Sequence, residues 1–519
     1  MTPVATPPPV ATPPPEATPS VATPAARKAV RTDTLLGGAA FLLGLTLLQR
    51  VVGLGRSTLF CGMLSPTELG QWELAYSFLL LMTPIAALGL PASLGRYAEF
   101  YRRRQQLRSY VRATVVATLI SGTLLSAAML VFRDLFARWV FGSAEFSHLI
   151  TWMAFAAWAM AVMALVAKFF TAMRLQRYAS LVNFLYSIAF ATVGVVLLAT
   201  WQTAAVSVIA AHLVAVVASC LLASSWIRRY ADAMAPDVSP AAPKELWAKV
   251  APFALGIWVS NGLGNVLSLV DRYMIVHYSG ESPNDALALV GQYHGARIVP
   301  TMMMQVAIMS AGMFLPYLSR DWESGHKRRV GEQLDFYIRL CSLGYFAVAT
   351  GFLVVGPWLY GVAFGDKFGP GLVILGLALA QASLYGVLCV GKLYLWCMER
   401  VWLVSFAMVA SIGANIALNL WLLPRYGLYG AALSSAAAML LMVAAIQGVS
   451  AICGVRYRRA TWALAGAPLV LAAGAYAAAT LLAVFAVLVF ATTFVFDQEE
   501  KQKMSQALQR AASRWNWNR

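Results

Sequence analysis

Ser260-Asn-Gly-Leu-Gly-Asn265, continuing through Val270-Asp-Arg-Tyr273, lies inside an apolar run over 250–278 and carries polar residues at a regular interval. Asn261, Asn265, Ser268 and Arg272 fall at i, i+4, i+7 and i+11, which puts them on one face of an α-helix. The next apolar run, 291–316, repeats the pattern with His294, Arg297, Thr301 and Gln305 at i, i+3, i+7 and i+11. A membrane-length helix cannot turn such a stripe toward lipid, because a polar or charged group left in hydrocarbon costs several kcal/mol. The two stripes therefore predict two neighbouring spans that look inward at a shared cavity, with Asp271 neutralising an adjacent arginine.

Composition agrees. The 519-residue chain is 60% apolar and 12% charged, with mean hydropathy +0.68, whereas soluble domains carry about 25% charged residues. A net charge of +17 would suit a nucleic-acid partner, but in a polytopic chain it reads as the basic excess of cytoplasmic loops, so no nucleic acid is expected. The six cysteines lie in or beside apolar runs, with no C-x-x-C and no Cys/His cluster at ligand spacing. They read as small core residues, and no metal or cofactor is expected.

Residues 1–33 begin with a Pro/Ala/Thr tract built on Val-Ala-Thr-Pro, which has no apolar face to bury and predicts a disordered cytoplasmic tail. At about 20 apolar residues per span, spans are expected near 34–55, 69–90, 112–132, 149–171, 179–200 and 204–226. After a Pro-containing linker over 227–249 come 250–278, 291–316, 336–359, 370–391, 402–423 and 427–449. The run 461–496 is too long for one span and predicts a tight hairpin within 451–496, followed by a basic tail over 497–519. The fold class is thus an all-α polytopic membrane protein of about fourteen transmembrane helices. Two six-helix lobes, 34–226 and 250–450, share one orientation, as in a parallel repeat. Gly70-Gln-Trp72 and Gly291-Gln-Tyr293 are the clearest internal echo.

With the N-terminus inside, 29 of the 39 lysines and arginines fall in cytoplasmic segments, five outside and five within spans. That asymmetry predicts both termini on the cytoplasmic side. Trp72, Trp201, Trp226, Trp358, Trp402, Trp421 and Trp462 near span ends fit interfacial belts.

Several motifs carry a resemblance. Leu48-Gln-Arg-Val-Val-Gly-Leu-Gly-Arg56, Leu88-Gly-Leu-Pro-Ala-Ser-Leu-Gly-Arg96, Val270-Asp-Arg272 with Gly291-Gln-Tyr-His-Gly-Ala296, and Asn415-Ile-Ala-Leu-Asn419 with Pro424-Arg-Tyr-Gly-Leu-Tyr-Gly-Ala-Ala432 occur in order. Over roughly 34–450 the chain resembles the polysaccharide transporter and O-antigen flippase family of the multidrug/oligosaccharidyl-lipid/polysaccharide exporter superfamily. The resemblance implies a V-shaped pair of lobes in a bacterial-type inner membrane. It also implies alternating access, which moves an undecaprenyl-pyrophosphate-linked glycan to the outer leaflet for lipopolysaccharide or exopolysaccharide synthesis. Lipid II flippases share Arg50-x-x-Gly53-x-x-Arg56, and drug/cation antiporters share the fold, so both stay open as alternatives. The partners implied are the lipid-linked glycan, membrane lipids and glycan-assembly enzymes; a proton or sodium gradient is the coupling left open.

The candidate substrate-binding residues are Arg50, Asn261, Asn265, Asp271, Arg272, His294 and Arg297. The arginines fall in the outer half-membrane, where a guanidinium suits a pyrophosphate; the bland alternative is snorkelling to head groups. Arg56 reads as peripheral, Glu73 as shallow and solvated, His212 as a packing histidine and Lys168 as a snorkelling side chain. Gly256, Gly262 and Gly264 permit either bending or close helix packing. A membrane glycan polymerase or ligase would need a sizeable external loop with acid/base groups, and no external segment exceeds roughly 16 residues by span length. A cation antiporter would want acidic residues in the cavity, where the stripes show Asn, His and Arg. Orientation is directly testable: a membrane-impermeant thiol reagent added to intact cells should modify Ser282→Cys and leave Ser239→Cys untouched, and the reverse pattern would invert the topology.

Overall fold

The computed structural model describes residues 35–502 except 233, 235 and 241, together with 504–506 and 509; side chains are described from Gly44 onward, those of Ser260, Asn261 and Ser268 excepted. The Pro/Ala/Thr tail lies outside the described residues. Those described form helices and turns, with no strand among them. The first lobe holds α1 (Leu35–Met63), α2 (Pro66–Ala87), α3 (Leu90–Arg103), α4 (Leu107–Val131), α5 (Arg133–Phe141), α6 (Ser147–Ala172), α7 (Gln176–Thr200) and α8 (Ala205–Asp232). The second holds α9 (Pro243–Tyr278), α10 (Pro283–Ala296), α11 (Ile298–Glu323), α12 (Lys327–Phe364), α13 (Gly369–Leu372), α14 (Leu375–Gly391), α15 (Leu393–Cys397) and α16 (Val401–Ile452). It is followed by α17 (Arg459–Gly466), a 3-10 stretch (Ala467–Ala473) and α18 (Ala475–Ala491).

Among the described residues nine helices are long and apolar enough to cross a membrane, or ten if the bent pair α2–α3 counts as one span. This is a multi-pass membrane protein. Part of the difference from about fourteen spans comes from merged and broken helices, and part from the expected C-terminal hairpin, whose apolar helices Arg459–Ala473 and Ala475–Ala491 are shorter than a span. The 52 residues of α16 would reach roughly 78 Å as one rod, far beyond a hydrocarbon core of about 30 Å. The chain folds back at Gly427, which has φ 54°. Ser411 Oγ then donates to the Ala438 carbonyl at 2.8 Å, and Asn415 Nδ2 to Ser435 Oγ at 3.2 Å, so the two halves run antiparallel.

Two expected spans are broken. The second bends by 42° between α2 and α3, where Leu88 (φ 49°) and Gly89 (φ 65°) both enter the left-handed region. The eighth is interrupted at Arg297, which ends α10 and precedes α11. The polar stripe expected from His294 to Gln305 therefore does not lie on one continuous helix, and Thr301 is exposed.

The lobes meet most extensively where α2 crosses α10. The crossing is reciprocal. A Cβ on Gly70 would strike the Leu287 carbonyl, and one on Gly291 would strike the Pro66 carbonyl. Each glycine thus abuts the backbone one turn before the other, an approach only a residue without a side chain allows. We refer to this as the sealed end. Toward the other end α9 bridges the lobes. Its Leu246, Val250 and Ala254 pack into a first-lobe cluster with Leu90, Leu94 and Tyr110, while Val270, Met274 and Ile275 lie in the core shared by α2, α10 and α16. Between them, Cβ atoms on Gly256, Gly262 or Gly264 would meet nothing within 4 Å. Close helix packing is not what these glycines serve.

The segment after α16 also doubles back, since Arg458 before it and Asp497 after it pair at 2.8 Å. Beside them Arg339 of α12 is 1% exposed. Its guanidinium binds Glu500 through two hydrogen bonds of 2.7 and 3.0 Å, Asp335 at 3.1 Å, and the Val495 carbonyl.

A prediction follows from the glycine crossing. Gly291→Ala and Gly70→Ala push a methyl against a backbone carbonyl that has nowhere to go, and each should cost on the order of 1–3 kcal/mol, as overpacking does. Gly256→Ala should cost nothing measurable. Thermal unfolding in detergent compares the three, and equal midpoints would show that the crossing tolerates a side chain.

Candidate functional site

Polar side chains buried inside a membrane protein must find one another, and here they form two clusters near the sealed end. The first joins the lobes. Glu73 stands on α2, whose start is fixed by Ser65 accepting from the Glu68 N–H. It is 7% exposed, not shallow and solvated as its place near a span end suggested. Its Oε2 lies 3.3 Å from Arg272 Nη2 of α9 and 3.0 Å from His294 Nδ1 of α10. Arg56 comes inward rather than staying peripheral: its guanidinium lies over the Phe190 ring at 4.4 Å. With Trp72, Glu73, Tyr76 and His294 it lines a cavity of about 40 Å³. Trp72 is 5% exposed and stacks on Tyr76. It belongs to the first lobe's core rather than to an interfacial belt, because α2 is walled in by α6, α8, α9 and α10.

The second cluster lies within the second lobe. Asp271 accepts hydrogen bonds from Tyr293 Oη at 2.7 Å, from Asn415 Nδ2 at 3.1 Å and from the Ser435 hydroxyl. Arg297 is 3.8 Å away; it donates to the Tyr293 hydroxyl and lies over that ring at 4.8 Å. Asn415 and Asn419 are one turn apart on α16, and Asn419 Nδ2 donates to Asn415 Oδ1 at 3.1 Å. Asp271 thus neutralises an arginine, as its sequence position suggested, but the partner is Arg297 of the following span rather than Arg272 beside it.

The structure brings Arg272 and His294 together at Glu73, and Asp271 and Arg297 together in the second cluster. It places Asn265 between the lobes, donating to the Leu80 carbonyl of α2 at 2.7 Å. The side chain of Asn261 lies outside the described residues. Arg50 stands exposed on α1. Of the stripe residues, Arg272, His294 and Arg297 are engaged with carboxylates and Asn265 with α2, while Thr301 is exposed. Glu73, Tyr293, Asn415, Asn419 and Ser435 were assigned no role from sequence. The signal for the two asparagines was present, because polar residues at i, i+4 in an apolar run obey the rule that singled out Asn261 and Asn265. His212 packs as expected, with Nδ1 2.9 Å from Tyr186 Oη and a ring wall of Trp72, Tyr76 and Phe190. Lys168 is exposed, as snorkelling requires.

Beside the clusters lies an apolar groove of about 680 Å³ between α1, α11 and α12. Leu54 and Thr58 line it on one wall, Ile298, Met302 and Val306 on another, and Tyr345, Val348 and Phe352 on the third. Ile298, which lines it, is the residue after Arg297.

Residues 35–322, more than half of the chain, match the family described as "Polysaccharide biosynthesis protein". The chain belongs to this family. No curated protein matches it. Among solved structures, this polysaccharide biosynthesis family member is similar to the lipid II flippase MurJ in an inward closed conformation (TM-score 0.64, 12% identity), covering 87% of this chain and 99% of that one. It is similar to a multidrug resistance MATE family transporter of the MOP superfamily in an inward-facing conformation (TM-score 0.65, 12% identity), covering 82% and 98%. A MOP superfamily transporter from Pyrococcus furiosus matches with TM-score 0.56 and 13% identity over 82% and 94%. Such identities establish a shared fold. Family and fold agree: a member of the polysaccharide biosynthesis family has the fold seen in these transporters.

Removing one partner of a buried pair strands the other charge and costs about 3–5 kcal/mol. Glu73→Ala should therefore destabilise strongly. The double variant Glu73→Gln with Arg272→Gln should cost clearly less than its two single changes together, because no charge of that pair is left behind. Unfolding midpoints of the four proteins read the coupling, and strict additivity would mean that the pair is not formed.

Proposed function

We propose that the protein is an alternating-access flippase that carries a polyprenyl-pyrophosphate-linked glycan from the inner to the outer leaflet. By the Lys/Arg count the sealed end is then external. The observation that carries the reading is the juxtaposition of a cationic lobe interface with an apolar groove, one of whose lining residues, Ile298, follows Arg297 directly in the chain. An amphipathic lipid needs both features: paired N–H donors for a phosphate oxygen pair, and an apolar channel for a long hydrocarbon chain. Membership of a polysaccharide biosynthesis family supports a glycan as the head group carried. In the sealed conformation the guanidinium of Arg272 is held by Glu73 and that of Arg297 lies beside Asp271. Substrate phosphates would exchange for these carboxylates rather than enter a vacant site.

A drug/cation antiporter on the same fold gains little support. Buried carboxylates do exist, contrary to the stripes' Asn, His and Arg, yet Glu73 and Asp271 each already lie within 4.0 Å of an arginine.

The test uses proteoliposomes holding a fluorescent polyprenyl-pyrophosphate oligosaccharide, with protein abundance measured in parallel. Arg297→Ala and the double variant Glu73→Gln with Arg272→Gln should each slow transfer at least about ten-fold, the order of a lost charge-assisted contact. Arg272→Lys should retain part of the rate, since it keeps the charge and loses the planar fork. Normal transfer by folded Arg297→Ala and by the folded double variant would assign the arginines to anchoring alone.

A further inference from the structure

We infer that Lys367 is a latch: its ammonium holds the sealed end shut by capping α1 across the lobe boundary, and transport requires that it let go. Lys367 lies in the short connection between α12 and α13 of the second lobe. Its Nζ donates to the Cys61 carbonyl at 2.7 Å and to the Gly62 carbonyl at 3.0 Å. Both carbonyls belong to the last turn of α1, which packs in the first lobe against α7. The last four carbonyls of a helix have no partner inside it, and they form the negative end of its dipole. A cation placed there satisfies two orphan acceptors at once.

The lysine is presented from a fixed base. Gln292 Nε2 donates to the Lys367 carbonyl at 2.8 Å, and Gln292 Oε1 accepts from the Gly371 N–H at 3.1 Å. One glutamine side chain thus clamps both ends of the 367–371 turn to α10. The adjoining Phe368 ring, 1% exposed, sits where a side chain on Gly295 would have to go. The turn therefore moves with α10, the helix whose Gly291 crosses α2. When α10 leaves α2, Lys367 must leave α1. The latch adds to the Glu73 pair at a separate point, and it differs in kind: its acceptors are backbone carbonyls, which neither titrate nor mutate. It is independent of what the protein carries.

The measurement is hydrogen–deuterium exchange of the full chain in lipid nanodiscs. In Lys367→Met, peptides over 61–75 and 283–296 should exchange roughly five-fold faster than wild type, the order expected for one cation at a helix C-terminus. Peptides over 375–391 in the second lobe's core should not change. Lys367→Arg, which can still cap, should stay near wild type. If Lys367→Met does not fold, Lys367→Gln removes the same charge with a polar side chain and should give the same pattern. Wild-type exchange at 61–75 and 283–296 in the uncharged variants overturns the latch, and so does faster exchange that extends to 375–391.

Discussion

A charge in hydrocarbon has no water to turn to, and the architecture near the lobe interface depends on that. Glu73 can be buried on α2 only because Arg272 and His294 come to it from α9 and α10. Asp271 can sit in the second lobe's core only because Tyr293, Asn415, Ser435 and Arg297 surround it. Such pairs add little net stability, since desolvation takes back most of what attraction supplies. What they do impose is arrangement. Any packing that separates the partners strands a charge, so the competing lobe orientations are penalised far more than the native one is favoured. The same logic makes the interface exchangeable, because a guanidinium released from one anion requires another.

The sealed end combines that ionic contact with contacts of a different nature. Gly70 and Gly291 let two backbones touch, which maximises dispersion between α2 and α10 where no hydrophobic driving force separates protein from lipid. Nearby, His277 Nε2 lies 2.8 Å from the Trp139 carbonyl, again between the lobes. Toward the opposite end the lobes are linked by α9, and Asp237 of the connecting segment ties it to the start of α4 by accepting from the Arg108 and Ser109 N–H groups at 3.0 and 2.6 Å. Firm contact at one end and a continuous helix toward the other suit a molecule that rocks.

The spans were legible because hydrophobic length is a one-dimensional property, and so was the family, whose motifs lie in contiguous runs. The polar stripe of α9 was legible for the same reason. Its partners were not. Glu73 is 199 residues from Arg272 and Ser435 is 164 from Asp271, and no spacing rule reaches that far. Trp72 reads as interfacial by its distance from a span end, and only the helices around α2 show that it is enclosed. The interruption at Arg297 has a local signal that a count of apolar residues passes over: Gly295, the β-branched Ile298 and Val299, and Pro300 surround it, and Pro300 has no N–H to bond the Ala296 carbonyl one turn back. Gly256, Gly262 and Gly264 were ambiguous in sequence, and empty space around them removes one of the two readings.

Arg339 has a consequence in time rather than in space. The partner carboxylate nearest in sequence, Asp335, is one turn away on α12 and is synthesised with it. The fork that completes its pairing, Glu500, is 161 residues further along. At roughly 5–20 residues per second the ribosome needs about ten to thirty seconds to cover that interval. Through it Asp335 alone offsets the guanidinium, and the hydrogen bonds that Glu500 and the Val495 carbonyl accept are missing while α13 to α18 are made. The full hydrogen bonding of a side chain in the middle of the second lobe thus waits on residues that follow α18.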